Sequence, residues 1–112
     1  MTITALQVKT SGEVVELDLT ANSLDTLQGA VGGWVQAIDL SDTVSLWVNE
    51  EGKLEGLPHN PYAQQFWDEA FGAGTDFIVG DVVFTGTPDQ EGETQGLGED
   101  TAQRIRERLV AS

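Results

Sequence analysis

The sequence predicts an α+β fold, in which two or three helices cover a mostly antiparallel sheet of about five strands. Three observations support this: two alternating apolar stretches joined by Ser11-Gly12, an apolar stripe at helical spacing after Asn60, and a β-branched run over Phe77–Thr85. The predicted order is ββαββ(β)αβα. No fixed-period repeat or long linker divides the chain, so residues 1–112 are predicted to form one domain.

The N-terminal part predicts a hairpin followed by a helix. Residues 3–9 and 13–19 alternate between apolar and polar side chains around the Ser11-Gly12 turn, which is typical of two paired strands. A helix should begin near Asn22 or Ser23, either of which can cap it, and Gly32-Gly33 should end it. Its apolar face is predicted to consist of Leu24, Leu27 and Val31.

Residues 34–40 and 43–49 predict two more strands joined by Ser41-Asp42. Alternation places Trp47 on the opposite side of its strand from Val44, Leu46 and Val48. After the turn at residues 50–52, Lys53–Glu55 is predicted to return as a short edge strand.

The most clearly marked helix covers residues 61–71. Asn60 suits the N-cap, Pro61 suits the first helical position, and Gly72 is placed to end the helix. Its apolar stripe is expected to lie on the sheet through Phe66, Trp67 and Phe71, and also contains Ala63 and Ala70.

The C-terminal third predicts a strand, a loop and a helix. Phe77–Thr85 is expected to be an interior strand with a bulge or kink at Gly80-Asp81. Residues 86–98 are glycine-rich and acidic with almost nothing to bury, which predicts a mobile loop. A helix is expected over residues 99–110, with Ala102, Ile105 and Leu109 on its apolar face.

The composition excludes several classes of function. Nineteen Asp and Glu against five Lys and Arg give a net charge of −14, which disfavours direct binding to nucleic acids and anionic membranes. The chain has no cysteine and no run approaching the roughly 20 apolar residues of a membrane span, so we expect a cytoplasmic protein. The acidity is explained either by solubility or a salty cytoplasm, or by an electronegative face for a basic protein.

No catalytic, metal or cofactor site is predicted. His59 is the single histidine and has no nucleophile motif beside it, so a structural or surface position is expected. The acidic stretch 89–93 hints at calcium, but Thr94 stands where an EF-hand loop requires glycine. Gly72-Ala73-Gly74 and Gly96-Leu97-Gly98 lack the pattern of a phosphate loop and are interpreted as turns.

Three residues are candidates for partner binding. Trp47 lies on an otherwise polar strand face, where it is either covered by a helix or exposed as an anchor for a partner. Asp68 and Glu69 lie on the polar side of the helix over residues 61–71. A solvated face is expected there rather than a pair of carboxylates for acid and base chemistry, which would need a cleft that the sequence does not show.

Several spaced motifs resemble one family. They are Gly32-Gly33-Trp34, the run from Leu46 to Leu54 with its Glu-Gly-Lys turn, Asn60-Pro61-Tyr62-Ala63, and Ile78-Val79-Gly80-Asp81 within the run to Gly86. Together they resemble the domain of unknown function numbered 3846 over roughly residues 24–88. The resemblance implies a setting in actinobacterial phages, plasmids and their hosts, and it brings no catalytic residues.

Three functional hypotheses follow. The first is a non-enzymatic interaction protein that modulates a host protein by binding it, with a basic partner expected from the charge. The second is an acidic mimic of DNA that inhibits a nucleic-acid-binding protein, which requires carboxylates spaced like phosphates along one face. The third is a small-ligand-binding or enzymatic domain with an unrecognised pocket, which a cleft around His59 and Trp47 would favour.

Overall fold

The computed structural model describes residues 3–21, 23–91 and 93–111 and confirms the predicted fold class. Within these residues, five strands and three helices follow one another in the order β1β2α1β3β4α2β5α3. Their bounds are β1 Thr4–Val8, β2 Val14–Asp18, α1 Ser23–Val31, β3 Val35–Asp39, β4 Ser45–Asn49, α2 Pro61–Phe71, β5 Val82–Thr85 and α3 Glu99–Ala111.

The strands form one sheet in the order β2-β1-β5-β4-β3, and every neighbouring pair is antiparallel. The β1–β2 hairpin has the predicted turn, in which Gly12 adopts a φ of 93° and its N–H donates to the Lys9 oxygen. β5 lies at the centre of the sheet although it comes last among the strands, and all four of its residues are buried. β2 and β3 are the two edges.

Helices cover both sides of the sheet. On the side that we call the α2–α3 face, Leu6 and Phe84 pack with Ala63 of α2 and with Ile105 and Leu109 of α3. On the opposite side, the α1 face, a smaller cluster of buried residues consists of Ala5, Leu19, Leu27, Val31 and Val83. Because strand side chains alternate, β1, β4 and β5 each contribute residues to both clusters.

Local signals position α2 as predicted. The Asn60 side chain accepts a hydrogen bond from the Ala63 N–H, Pro61 occupies the first turn, and Gly72 follows the last residue with a φ of 100°. Asn60 is fully buried and also donates to the Val8 and Gly80 oxygens, so the cap fixes the start of α2 against β1.

Two predicted packing positions are wrong. Phe71 is 44% exposed and lies against the Trp67 ring rather than on the sheet, because it is the last residue of α2. Leu24 is 54% exposed in the first turn of α1, whose buried residues are Leu27 and Val31. Asn22, one of the two suggested caps of α1, lies outside the described residues.

Three further expectations on local structure are corrected. Lys53–Glu55 forms a turn rather than a strand, since the Glu55 N–H donates to the backbone oxygen of Glu51. The last strand begins at Val82, because Gly80 has a φ of 76° and Val79 leaves the sheet to bridge with His59. In the segment 86–98, Leu97 is buried and its N–H donates to the Thr4 oxygen, so this segment does contribute to the core. Its mobility stays a prediction.

Candidate partner-binding surface

Trp47 is half-buried on the α1 face of β4. Its indole packs against the cluster that contains Leu27 and Val31, and its Nε1 donates a hydrogen bond of 2.8 Å to Thr85 Oγ1. The sheet and α1 therefore already use much of the apolar area and the polar atom of this side chain. A role in partner binding stays a prediction.

Asp68 and Glu69 lie on α2, on the other side of the sheet. Asp68 is half-buried and accepts a hydrogen bond of 2.9 Å from Gln64 Nε2. Glu69 is exposed and forms an ion pair with Arg108 of α3. The structure therefore brings Asp68 and Glu69 together but separates both from Trp47 by the thickness of the sheet, so the three do not form one continuous site.

His59 is also remote from Trp47. It is exposed before α2, its Nε2 lies 3.0 Å from Gln64 Oε1, and its backbone bridges to Val79. Trp47 lies on the α1 face whereas His59 precedes α2, so the two side chains do not meet in one cleft in the described part of the chain. Within residues 3–21, 23–91 and 93–111, no group of three or more His, Asp and Glu side chains could hold a metal ion.

A different surface combines exposed apolar side chains with an open strand edge. Trp34, immediately before β3, is 67% exposed, and its backbone oxygen accepts a hydrogen bond from the Glu50 N–H. Alternation places its side chain on the same side as Gln36. Gln36 and Glu50 both line a groove of about 110 Å³ that also includes Phe77, which is 54% exposed.

The edge of β3 beside this groove is unpaired within the described part of the chain. Trp34 and Leu40 bond inward to β4, through the Trp34 oxygen and the Leu40 N–H. Because backbone groups alternate along a strand, Val35, Ala37 and Asp39 direct their N–H and C=O groups outward. The opposite edge, β2, carries two charged residues, Glu16 and Asp18, whereas β3 carries one, Asp39. Such residues commonly block edge pairing, so β3 is the less protected edge.

We call this combination the β3 surface and define it as Trp34, residues 35–39 of the edge, and the groove that contains Phe77. It lies in an acidic environment, since Glu50, Glu51 and Glu55 are all exposed in the adjoining turn. Lys53 is the one base of the groove, and it already forms an ion pair with Asp76 while its ammonium lies 4.5 Å from the centre of the Phe77 ring. The hydrogen bond from Lys53 lowers the pKa of Asp76 below its ordinary value of 3.8.

The acidic side chains lie at the surface of the domain. None of the nineteen acidic side chains is buried. The ion pairs between described residues involve four of them, in Lys9–Glu13, Lys53–Asp76, Arg106–Glu16 and Arg108–Glu69. Most of the negative charge is therefore available to an external cation or a basic protein. No described helix is long and apolar enough to cross a membrane.

Sequence reasoning assigned Trp34 to a strand but did not recognise it as a candidate contact residue. The signal available was a tryptophan directly after Gly32-Gly33 and before a strand with one charge. Its exposure depends on β3 being an edge, and that follows from the order of all five strands rather than from local spacing.

Comparison with known proteins gives a family without a described activity. The family model described as "Domain of unknown function (DUF3846)" matches residues 1–110, a wider range than the motifs between residues 24 and 88. No curated protein matches the chain, and no solved structure matches it. With nearly its whole length matched by the model, the chain belongs to the family of the domain of unknown function 3846.

Proposed function

We infer that this chain is a non-enzymatic interaction protein that binds a basic, extended segment of another protein at the β3 surface. The observation that carries this proposal is the exposed Trp34 beside an unpaired strand edge in an acidic environment. In the setting that the resemblance implies, the partner is a host protein whose activity is modulated by the contact.

The strand edge supplies the main-chain part of the interaction. An extended segment that pairs with β3 bonds to the outward backbone groups of Val35, Ala37 and Asp39, as a further strand of the sheet. Main-chain pairing gives affinity but little selectivity, so side chains beside the edge must choose the partner. Trp34 and the groove at Phe77 offer an apolar anchor of the kind that is enriched at binding hot spots.

Charge decides the class of partner. Glu50, Glu51 and Glu55 flank the anchor at one end of the edge, and Asp39 and Asp42 lie at the other, all of them exposed. A segment with lysine or arginine around an apolar residue therefore complements this surface, while an acidic segment is repelled. The overall charge of −14 accelerates the encounter with a basic partner at low ionic strength.

Affinity capture from a lysate of the natural host tests the proposal, using the wild type, Trp34→Ser and Leu24→Ser. Leu24 is a matched control because it is 54% exposed but lies on α1. We expect a basic protein to be retained by the wild type and by Leu24→Ser and to be lost with Trp34→Ser. Retention should weaken between about 0.1 M and about 1 M salt. Equal retention by all three proteins would contradict the assignment of the β3 surface.

The DNA-mimic hypothesis is separated in the same experiment by adding excess duplex DNA. A mimic occupies the nucleic-acid groove of its partner, so duplex DNA must release the captured protein. A partner held by the β3 surface remains bound unless its basic segment is itself the DNA-binding site. If duplex DNA released the captured protein from Trp34→Ser as readily as from the wild type, the DNA-mimic hypothesis would be favoured.

A further inference from the structure

We propose that the cavity between α2, α3 and the turn joining β3 to β4 binds a small organic carboxylate. The cavity has a volume of about 370 Å³. Phe66, Val44 and Ile105 are among its apolar lining residues and form what we call its floor. Its polar lining residues are Ser41, Thr43, Glu69, Thr101, Arg104 and Arg108. A cavity of this size with mostly apolar walls and a few convergent polar groups is typical of small-molecule sites.

The positive charge at this cavity contrasts with the rest of the chain. Only five of the 112 residues are Lys or Arg, yet two of them line this one cavity. Arg104 and Arg108 are four residues apart on α3, so their side chains lie on the same face of the helix. In a protein with a net charge of −14, this is an unusual concentration of cationic donors.

The two arginines differ in how strongly they are held. Arg108 forms an ion pair with Glu69, and its guanidinium carbon lies 4.7 Å from the centre of the Phe66 ring, which fixes the side chain over the apolar floor. Arg104 donates from Nε to the backbone oxygen of Asp100 at 3.4 Å, and in the described part of the chain nothing accepts from its terminal nitrogens. Arg104 therefore has donors available for a ligand.

These features together define the class of ligand. A guanidinium binds a carboxylate through two parallel hydrogen bonds, and the Thr101 hydroxyl adds a donor that no described residue engages. The floor formed by Phe66 and Ile105 favours an apolar body rather than a bare inorganic anion. Since Glu69 neutralises one of the two arginines, a single negative charge on the ligand is the best match.

This site is independent of the proposed protein partner. The cavity and the groove at Phe77 share no lining residue. Failure of either proposal therefore leaves the other standing.

An NMR titration of ¹⁵N-labelled protein with benzoate tests the proposal, with benzamide as the neutral analogue and inorganic phosphate as the charge-only probe. We expect benzoate to cause saturable shifts at the amides of residues 41–44, 66–70 and 101–108. Benzamide lacks the negative charge and phosphate lacks the apolar body, so each should bind at least about tenfold more weakly than benzoate.

Variants of α3 locate the charge that binds. Arg104→Gln and Arg108→Gln should each weaken benzoate binding about tenfold. Arg106→Gln is the matched control, because Arg106 lies on the same helix but pairs with Glu16 of β2, and it should leave binding within about twofold of the wild type. Arg104 is exposed, so its replacement tests the site even if Arg108→Gln fails to fold.

Four results would overturn the proposal. They are the absence of saturable shifts with benzoate, equal binding of benzamide, equal binding of inorganic phosphate at the same amides, and an effect of Arg106→Gln as large as that of Arg104→Gln. The last result would mean that benzoate responds to the general field of the protein rather than to this cavity.

Discussion

The Asn60 side chain donates a hydrogen bond of 3.1 Å to the backbone oxygen of Val8, which lies 52 residues earlier in the sequence. The same amide group donates to the Gly80 oxygen, while its oxygen caps α2 at Ala63. One buried side chain therefore joins β1, the start of α2 and the entry to β5.

Asn60→Asp should be more destabilising than the loss of a helix cap. Aspartate is an equally good cap, but its carboxylate cannot donate to the Val8 and Gly80 oxygens, and burial raises its pKa. We expect a cost of about 3 kcal/mol or more near pH 7 that decreases as the pH falls and the carboxyl is protonated. Urea unfolding at several pH values measures this cost, and one that does not change with pH would contradict the account.

Phe66→Ala should destabilise the protein far more than Phe71→Ala. The Phe66 ring lies edge-on to the buried Phe84 ring, with 5.0 Å between their centres, whereas Phe71 is 44% exposed at the end of α2. We expect about 3 kcal/mol for Phe66→Ala and about 1 kcal/mol or less for Phe71→Ala. Similar losses in thermal unfolding would mean that α2 rests on the sheet over its whole length.

Sequence patterns predicted where the helices and strands lie better than which of their side chains are buried. The bounds of α2 matched residue by residue because Asn60, Pro61 and Gly72 act locally. The exposure of Phe71 and Leu24 was missed, since helical spacing identifies a face of the helix but not how far the sheet extends beneath it.

The candidate sites were harder to predict than the helices and strands, because they depend on tertiary structure. Trp34 is exposed because β3 is an edge, and this follows from the pairing of β5 with both β1 and β4. The cavity beside Arg104 joins segments near residues 42, 68 and 104, which no local pattern connects. Trp47, by contrast, was placed on the correct face of its strand by simple alternation, although its packing against α1 could not be derived from spacing.

Two glycines should respond in opposite directions to replacement by alanine. Gly29 is exposed inside α1 with nothing within 4 Å of an added Cβ, so Gly29→Ala should stabilise the protein by about 0.5–1 kcal/mol. Gly12 has a φ of 93°, and an added Cβ would lie 2.8 Å from Tyr62 Cζ. Gly12→Ala should therefore cost about 1–3 kcal/mol. Thermal unfolding of both variants measures the two shifts, and a shift of the same sign in both would refute this account.

The Lys53–Asp76 ion pair should give a small stabilisation that depends on pH. The pKa of Asp76 is lowered below 3.8 in the folded protein, so its contribution is complete above that value and is lost as the pH falls through the lower, folded pKa. Both side chains are more than a third exposed, which limits the effect to about 1 kcal/mol or less. Asp76→Asn should thus destabilise the protein near pH 7, and the loss should shrink as the pH falls through the lowered pKa of Asp76. Urea unfolding at a series of decreasing pH values provides the test, and a loss that does not change with pH would exclude the ion pair as the cause.

Substitutions at Trp47 and Trp34 should distinguish a residue that stabilises the fold from one that contacts a partner. Trp47→Phe keeps an aromatic ring against the α1-face cluster but removes the hydrogen bond to Thr85 Oγ1, so we expect a loss of about 1 kcal/mol in stability. Trp34→Phe removes an indole that is 67% exposed, and its effect on stability should be within about 0.5 kcal/mol.

The two substitutions should affect capture of the partner in the opposite way from stability. Trp34→Phe should weaken capture. Trp47→Phe should leave it unchanged, because the Trp47 indole is packed against the α1 cluster in the folded protein. Both variants retain an aromatic ring, so a difference between them reflects position rather than general hydrophobicity. If Trp47→Phe lowered capture at a temperature where circular dichroism shows the variant fully folded, while Trp34→Phe did not, the contact surface would lie on the α1 face. The original prediction for Trp47 would then replace the β3 surface.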